Sequence, residues 1–219
     1  MKPYCERSKS EQPPPDSTPV SSPPSKRRKV APKKCCDPSP DILRQISEKK
    51  ELTDEHIHFA RQLLQHEFPS LDGLQPTVLS QNNGFCPVTH ESVQIHHTGH
   101  FHWVTSCSIG GEIQVYDSRF AVGPLTPSLQ IQLAQIYRVS IQEEEDGDKF
   151  LTVKVPAVQQ QTGKVDCGIF AIAFAYHAAS GDNPEELQFQ QERMWDHLLQ
   201  CFKKKQLTPF SHTVLAITR

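Results

Sequence analysis

Hydrophobic positions along this chain take on a regular spacing only from Leu52 onward. Thr53 has the side chain of a helix N-cap, and Asp54 and Glu55 place negative charge at the positive end of the helix dipole. Ile57, Ala60, Leu63 and Leu64 then share one helical face, and Pro69 stops the helix. Val93 to Ser106 is rich in β-branched and aromatic residues. Gly110-Gly111 offers a tight turn into Ile113-Gln114-Val115-Tyr116, so the stretch reads as a hairpin. Thr126-Pro127, a cap with Pro in the first turn, opens a second helix carrying Leu129, Leu133 and Ile136. Phe150 to Val155 alternates as a strand, with Leu151, Val153 and Val155 on one face. Ile169 to Ala179 is almost wholly apolar, and a helix apolar all round belongs in the middle of a core. That helix should begin at Cys167 and end at Gly181, with a last amphipathic helix between Glu185 and Phe202. Strands and helices segregate, which predicts an α+β fold with no internal repeat.

Composition changes the picture at the N-terminus. Residues 1–40 are rich in Pro, Ser and charge, and such a stretch buries too little apolar surface to offset its ordering entropy. It is expected to be a disordered tail ahead of a domain spanning 41–219, and 219 residues suffice for one such domain with a real core. Of 23 Lys and Arg, nine lie in 1–40 against four Asp and Glu, leaving 14 against 21 in the remainder. The basic cluster Lys26-Arg27-Arg28-Lys29, with Lys33-Lys34 behind it, reads as a nuclear localisation signal for an importin. The plainer alternative is a solvated basic patch touching RNA, DNA or nothing, and nucleic acid is not the expected partner. The first residues are polar, without the apolar core of a signal peptide, and no run of 18 apolar residues exists to span a membrane. Seven scattered cysteines, an odd number, are expected to be reduced thiols in the nucleus or cytosol.

Three places combine reactive side chains with a structural reason to be there. In Asp166-Cys167-Gly168 the thiol opens the buried helix, where the dipole favours thiolate, and Gly168 is expected to leave room for a substrate backbone. His102-Trp103 puts an imidazole, the usual base for a cysteine, on a strand that holds it rigidly. Asp117 follows a strand end, where a carboxylate could orient that imidazole. Each alone has a plain reading: an inert core cysteine, one histidine among 11, a turn aspartate.

Taken with Gln161, these residues resemble a known family. His102-Trp103, Tyr116-Asp117-Ser118, Gln161 and Asp166-Cys167-Gly168, in that order, are similar to the motifs of the ubiquitin-like-protein proteases. These are the SUMO-removing peptidases and their relatives, including the adenovirus proteinase. Their order His, Asp, Gln, Cys differs from the Cys, His, Asn of papain. Leu52-Thr53-Asp54-Glu55 looks like the family's opening helix and Gly73-Leu74-Gln75 like the segment before its sheet, so the resemblance covers about residues 52–202. It implies a papain-like cysteine protease fold, a mostly antiparallel central sheet packed by helices, in a compact stand-alone version. It also implies roles: Cys167 as nucleophile, His102 as base and acid, Asp117 as orienter, and Gln161 in the oxyanion hole with the Cys167 N–H. Trp103 would wall a channel for a glycine pair. The implied reaction is cleavage after the C-terminal glycine of SUMO, NEDD8 or a related modifier, maturing or deconjugating it. The chemistry needs no cofactor. One position departs from the pattern: Glu51 stands where the family has a second channel tryptophan, and the missing wall is expected from Phe85 or another loop residue.

Other features carry less. Cys35-Cys36 and the histidines 96, 97 and 100 lack zinc-ligand spacing, and successive strand residues face opposite ways. The run Glu143-Glu144-Glu145-Asp146 reads as a solvated loop, and Cys86, Cys107 and Cys201 as packing residues without activating neighbours. Two alternatives to the protease stay open: a cysteine-dependent acyltransferase of the same fold, and a non-catalytic modifier-binding module.

Overall fold

Thr53 begins the ordered logic of the fold, because it satisfies the first turn of a helix in both directions. Its side chain and its backbone N–H both meet His56 Nδ1, at 2.9 and 3.1 Å, so a histidine fills the place a Glu takes in the usual capping box. The chain is described by a computed structural model covering residues 37–99, 101–119, 124–144 and 147–215. The basic cluster 26–29 with 33–34, Cys35-Cys36, His100 and part of the acidic run lie outside the described residues.

Helix α1 (Pro40–Ser47) was not anticipated from sequence; Ser39 caps it by accepting from the Ile42 N–H at 3.3 Å. Its first residue falls where the tail was expected to end. α2 (Asp54–Glu67) follows, then a central sheet of β1 (Asp72–Gly73), β2 (Ser92–His97), β3 (Trp103–Cys107) and β4 (Gln114–Tyr116) in that spatial order. β1 pairs parallel with β2, and the other pairings are antiparallel. α3 (Pro127–Ile136) is capped by Thr126, as its Thr-Pro start predicts. Two small sheets, β5 (Gln142–Glu143) with β6 (Lys149–Phe150) and β7 (Leu187–Phe189) with β8 (His212–Val214), flank α4 (Cys167–Ala179) and α5 (Gln191–Lys204) in the chain.

Helix α4 is the axis of the core: its residues from Cys167 to Ala178 are all buried. It lies against β2 and β3 on one side and α2 on another, with Phe170, Phe174 and Phe189 in edge and tilted contact. A second apolar cluster, including Phe85, Val104, Val115 and Leu133, fills the space between the sheet and α3.

Three expected elements are redrawn. Val93 to Ser106 is not one strand but two, broken where Gly99 and Phe101 take positive φ of 91° and 49°. Phe150 to Val155 forms a ladder only at its start; beyond it Lys154 makes one parallel bridge to Gln114. Leu151, Val153 and Val155 nevertheless pack against the second cluster, so the alternation reported burial rather than pairing. The last helix starts at Gln191, not near Glu185, because Leu187 to Phe189 pair with the chain end.

Candidate active site

The register of β3 and β4 brings His102 and Asp117 together. Thr105 pairs with Tyr116, so the residue before β3 and the residue after β4 emerge at the same end of the sheet. His102 Nε2 donates to Asp117 Oδ1 at 2.6 Å, with both side chains almost buried. The carboxylate is held in turn by the Arg119 N–H at 2.8 Å, and the Gln160 side chain donates to the Asp117 carbonyl at 3.1 Å. A cavity of about 250 Å³ opens beside the pair, lined by Thr98, Arg119, Leu125 and Leu129 among others.

The other ring nitrogen of His102, Nδ1, is buried and makes no hydrogen bond of good geometry. Burial alone pushes the imidazole pKa down, but hydrogen bonding and charge from Asp117 and Cys167 outweigh it and raise the value to about 9. Cys167 is the first residue of α4 and fully buried, and its thiol points toward the Phe101 carbonyl at 3.9 Å.

Gln161 lies on the loop before α4 and is fixed at three points. Its N–H donates to the Ser118 carbonyl at 2.8 Å, its Oε1 accepts from the Ser118 hydroxyl at 2.8 Å, and its Nε2 donates to the Gly163 carbonyl at 2.5 Å. An amide nitrogen carries two hydrogens, so one stays available for a developing oxyanion. The four expected site residues therefore come from a hairpin end, a strand end, a loop and a helix start.

Trp103 and Gly168, both assigned to substrate from sequence, are buried. Trp103 is 3% exposed, donates its indole N–H to the Leu52 carbonyl at 2.9 Å and packs its ring against His97. A Cβ on Gly168 would sit 2.8 Å from the Leu52 Cβ, so the space this glycine leaves is taken by Leu52 rather than by substrate. Phe85, the residue offered as the missing channel wall, is buried in the second cluster against the His96 ring.

Sequence reasoning missed what holds the loop before Cys167. Asp166, just before Cys167, is buried, and its carboxylate accepts from Trp195 Nε1 at 2.6 Å and Gln191 Nε2 at 2.9 Å, both on α5. A Cβ at Gly163 would collide with that carboxylate. The i, i+4 spacing of Gln191 and Trp195 was the available signal, since it places two donors on one helical face.

Other histidines have different work. His96 is fully buried, with Nδ1 on Gln132 at 3.0 Å and Nε2 on Ser106 at 2.7 Å, so neither nitrogen is left to serve a thiol. Burial pushes its pKa down to about 4. Its neighbour His97 turns the other way onto Trp103, as strand alternation requires. No group of three potential metal ligands exists among the described residues. Cys201 does have an activating neighbour, contrary to expectation: His197, one turn earlier on α5, places Nε2 3.4 Å from its sulfur.

Comparison with solved structures bears on the fold. The yeast Ulp1 protease domain, solved with the SUMO ortholog Smt3, matches 75% of this chain and 81% of its own at TM-score 0.54 and 15% identity. Ulp1 with its catalytic cysteine oxidised to a sulfinic acid matches 75% and 83% at TM-score 0.56 and 16% identity. The chain has the fold of the Ulp1 SUMO proteases. A buried cysteine at the start of α4 is consistent with that Ulp1-type papain-like fold, the α+β class expected from sequence. No family model matches the chain, and no curated protein matches it in sequence.

Proposed function

We propose that residues 41–219 form a cysteine peptidase that cleaves after the C-terminal glycine of a ubiquitin-like modifier. The observation that carries this reading is the 2.6 Å bond from His102 Nε2 to Asp117, which leaves Nδ1 for the thiol at the head of α4. With the carboxylate fixing that tautomer, Nδ1 takes the Cys167 proton, and the raised imidazole pKa favours the thiolate–imidazolium pair. The thiolate adds to the glycine carbonyl, and the oxyanion is met by the Gln161 amide and the N–H of Cys167, one of the unpaired donors of a helix start. His102 returns its proton to the departing amine. Water, activated by the same imidazole, then releases the glycine carboxylate from the thioester. The presence of a SUMO ortholog on the yeast Ulp1 domain supports a ubiquitin-like modifier as substrate.

Covalent capture tests this reading. SUMO, NEDD8 and ubiquitin bearing C-terminal propargylamides are offered to the full chain and to Cys167→Ala. A Cys167-dependent adduct with one of them is expected, and no adduct with any of the three would sink the proposal. Nuclear import through 26–29 and 33–34 belongs to the same proposal. Residues 1–40 fused to a fluorescent reporter should concentrate it in nuclei, and a diffuse signal would count against import.

A further inference from the structure

Phe101 is the most exposed large apolar side chain among the described residues, at 77%, and it directly precedes His102. Single exposed apolar residues are ordinary on protein surfaces. This one also has φ +49°, a left-handed conformation that bulky residues rarely adopt and that gathers at functional sites. The conformation is imposed by the short connection between β2 and β3, pinned where the Thr98 N–H donates to the His102 carbonyl at 2.9 Å. The same turn sends the ring outward and brings the Phe101 carbonyl to 3.9 Å from the Cys167 sulfur.

We infer that Phe101 sets specificity on the leaving-group side, packing against the lysine stem and an apolar neighbour of the acceptor in a conjugate. The inference rests on the peptidase reading above. In that reaction the S–C bond forms first, and the C–N bond breaks as the tetrahedral adduct collapses, the lysine nitrogen departing with the proton carried by His102. The leaving group must therefore approach His102, and the exposed ring of the residue bonded next to it is free to meet the acceptor's flanking chain. The Phe101 ring, unlike its backbone carbonyl, moves no proton and touches no reacting atom, so its effect belongs to binding of the departing partner.

The test compares the full wild-type chain with Phe101→Ala and Phe101→Leu, using the modifier selected by capture. Propargylamide capture has no departing amine, so Phe101→Ala should react within about twofold of wild type. On an isopeptide conjugate with a leucine beside the acceptor lysine, its kcat/KM should fall roughly tenfold, a size expected for one apolar contact. Phe101→Leu should recover most of that loss, and replacing the substrate leucine by serine should erase the difference. An equal loss in capture and cleavage would put Phe101 on the acyl side, and no loss in cleavage would remove it from recognition; either overturns the inference. If wild type captures none of the three modifiers, the peptidase reading fails and this inference fails with it. Unfolding midpoints check that the exposed position tolerates both variants.

Discussion

Trp195 and Asp166 meet across 29 residues of sequence, the indole N–H donating to the carboxylate at 2.6 Å immediately before the proposed nucleophile. The bond transfers the rigidity of α5 to the loop that delivers Cys167. Trp195→Phe keeps most of the apolar ring but leaves a buried carboxylate short of a donor, which costs about 1–3 kcal/mol. Urea unfolding should show this loss, and capture by a modifier probe should slow further than unfolding alone explains.

Asp117→Asn should separate the parts of the triad. The amide cannot hold His102 in its tautomer or stabilise the imidazolium, so turnover should fall by about 10²–10⁴. The basic limb of the wild-type pH profile is expected near the imidazole value of about 9, and in the variant it should move to lower pH. A limb that does not move would place the titrating group elsewhere.

The same histidine links stability to pH. Its folded value of about 9 lies above the ordinary 6.5, so its contribution is complete below about 6.5 and is lost as pH rises through about 9. The stability gap between wild type and His102→Gln, measured by thermal unfolding, should therefore shrink between pH 6.5 and 10.

His96 acts in the opposite sense. Held neutral with a value of about 4, it resists protonation that the unfolded chain accepts from about 6.5 downward. Stability is lost as pH falls across that window, by about 3 kcal/mol for this group alone. Burial also lowers His56 and His177, so the wild-type slope is compound. His96→Gln should remove part of it.

Gly168→Ala should force its new methyl group onto Leu52 and cost about 1–3 kcal/mol. If Leu52 is the obstacle, adding Leu52→Ala should make the glycine change nearly free, a coupling that a double-mutant cycle in urea would read.

Cys107 and Cys201 are equally buried, each 3% exposed, yet their thiols differ. Burial pushes Cys107 up. For Cys201 the same burial is outweighed by bonds to His197 and Thr208, which bring it down. In a Cys167→Ala background, mass spectrometry after iodoacetamide treatment should find Cys201 alkylated faster, and His197→Ala should abolish the difference.

The helices were legible where caps and apolar spacing agreed, as at Thr53 and Thr126, or where an apolar run was long enough, as after Cys167. Local chemistry there decides the boundary. The split between β2 and β3 was harder, because His100-Phe101-His102 has no strong breaker and Gly99 stands alone. What bends the chain is the Thr98–His102 contact, visible only once both strands exist. Motif order brought His102, Asp117, Gln161 and Cys167 into view, and the β3–β4 register then placed the first two in contact. The buried positions of Trp103 and Gly168 depend on Leu52, more than 50 positions from either, and no local pattern encodes such a meeting. Cys201 departs from its expected packing role for a simpler reason: His197 stands four residues before it, on the same helical face.

The hydroxyl of Thr105 donates to the Ala171 carbonyl at 2.7 Å, fastening the hairpin that carries the base to the helix that carries the thiol. These partners are 66 residues apart, and the ribosome delivers them at different times. During synthesis the imidazole and carboxylate emerge first and have no sulfur to activate. The sulfur arrives last and meets the imidazole only when α4 seats against the sheet. On the peptidase reading, an unfinished chain carries these groups without their arrangement, and the completed core serves as the safety catch.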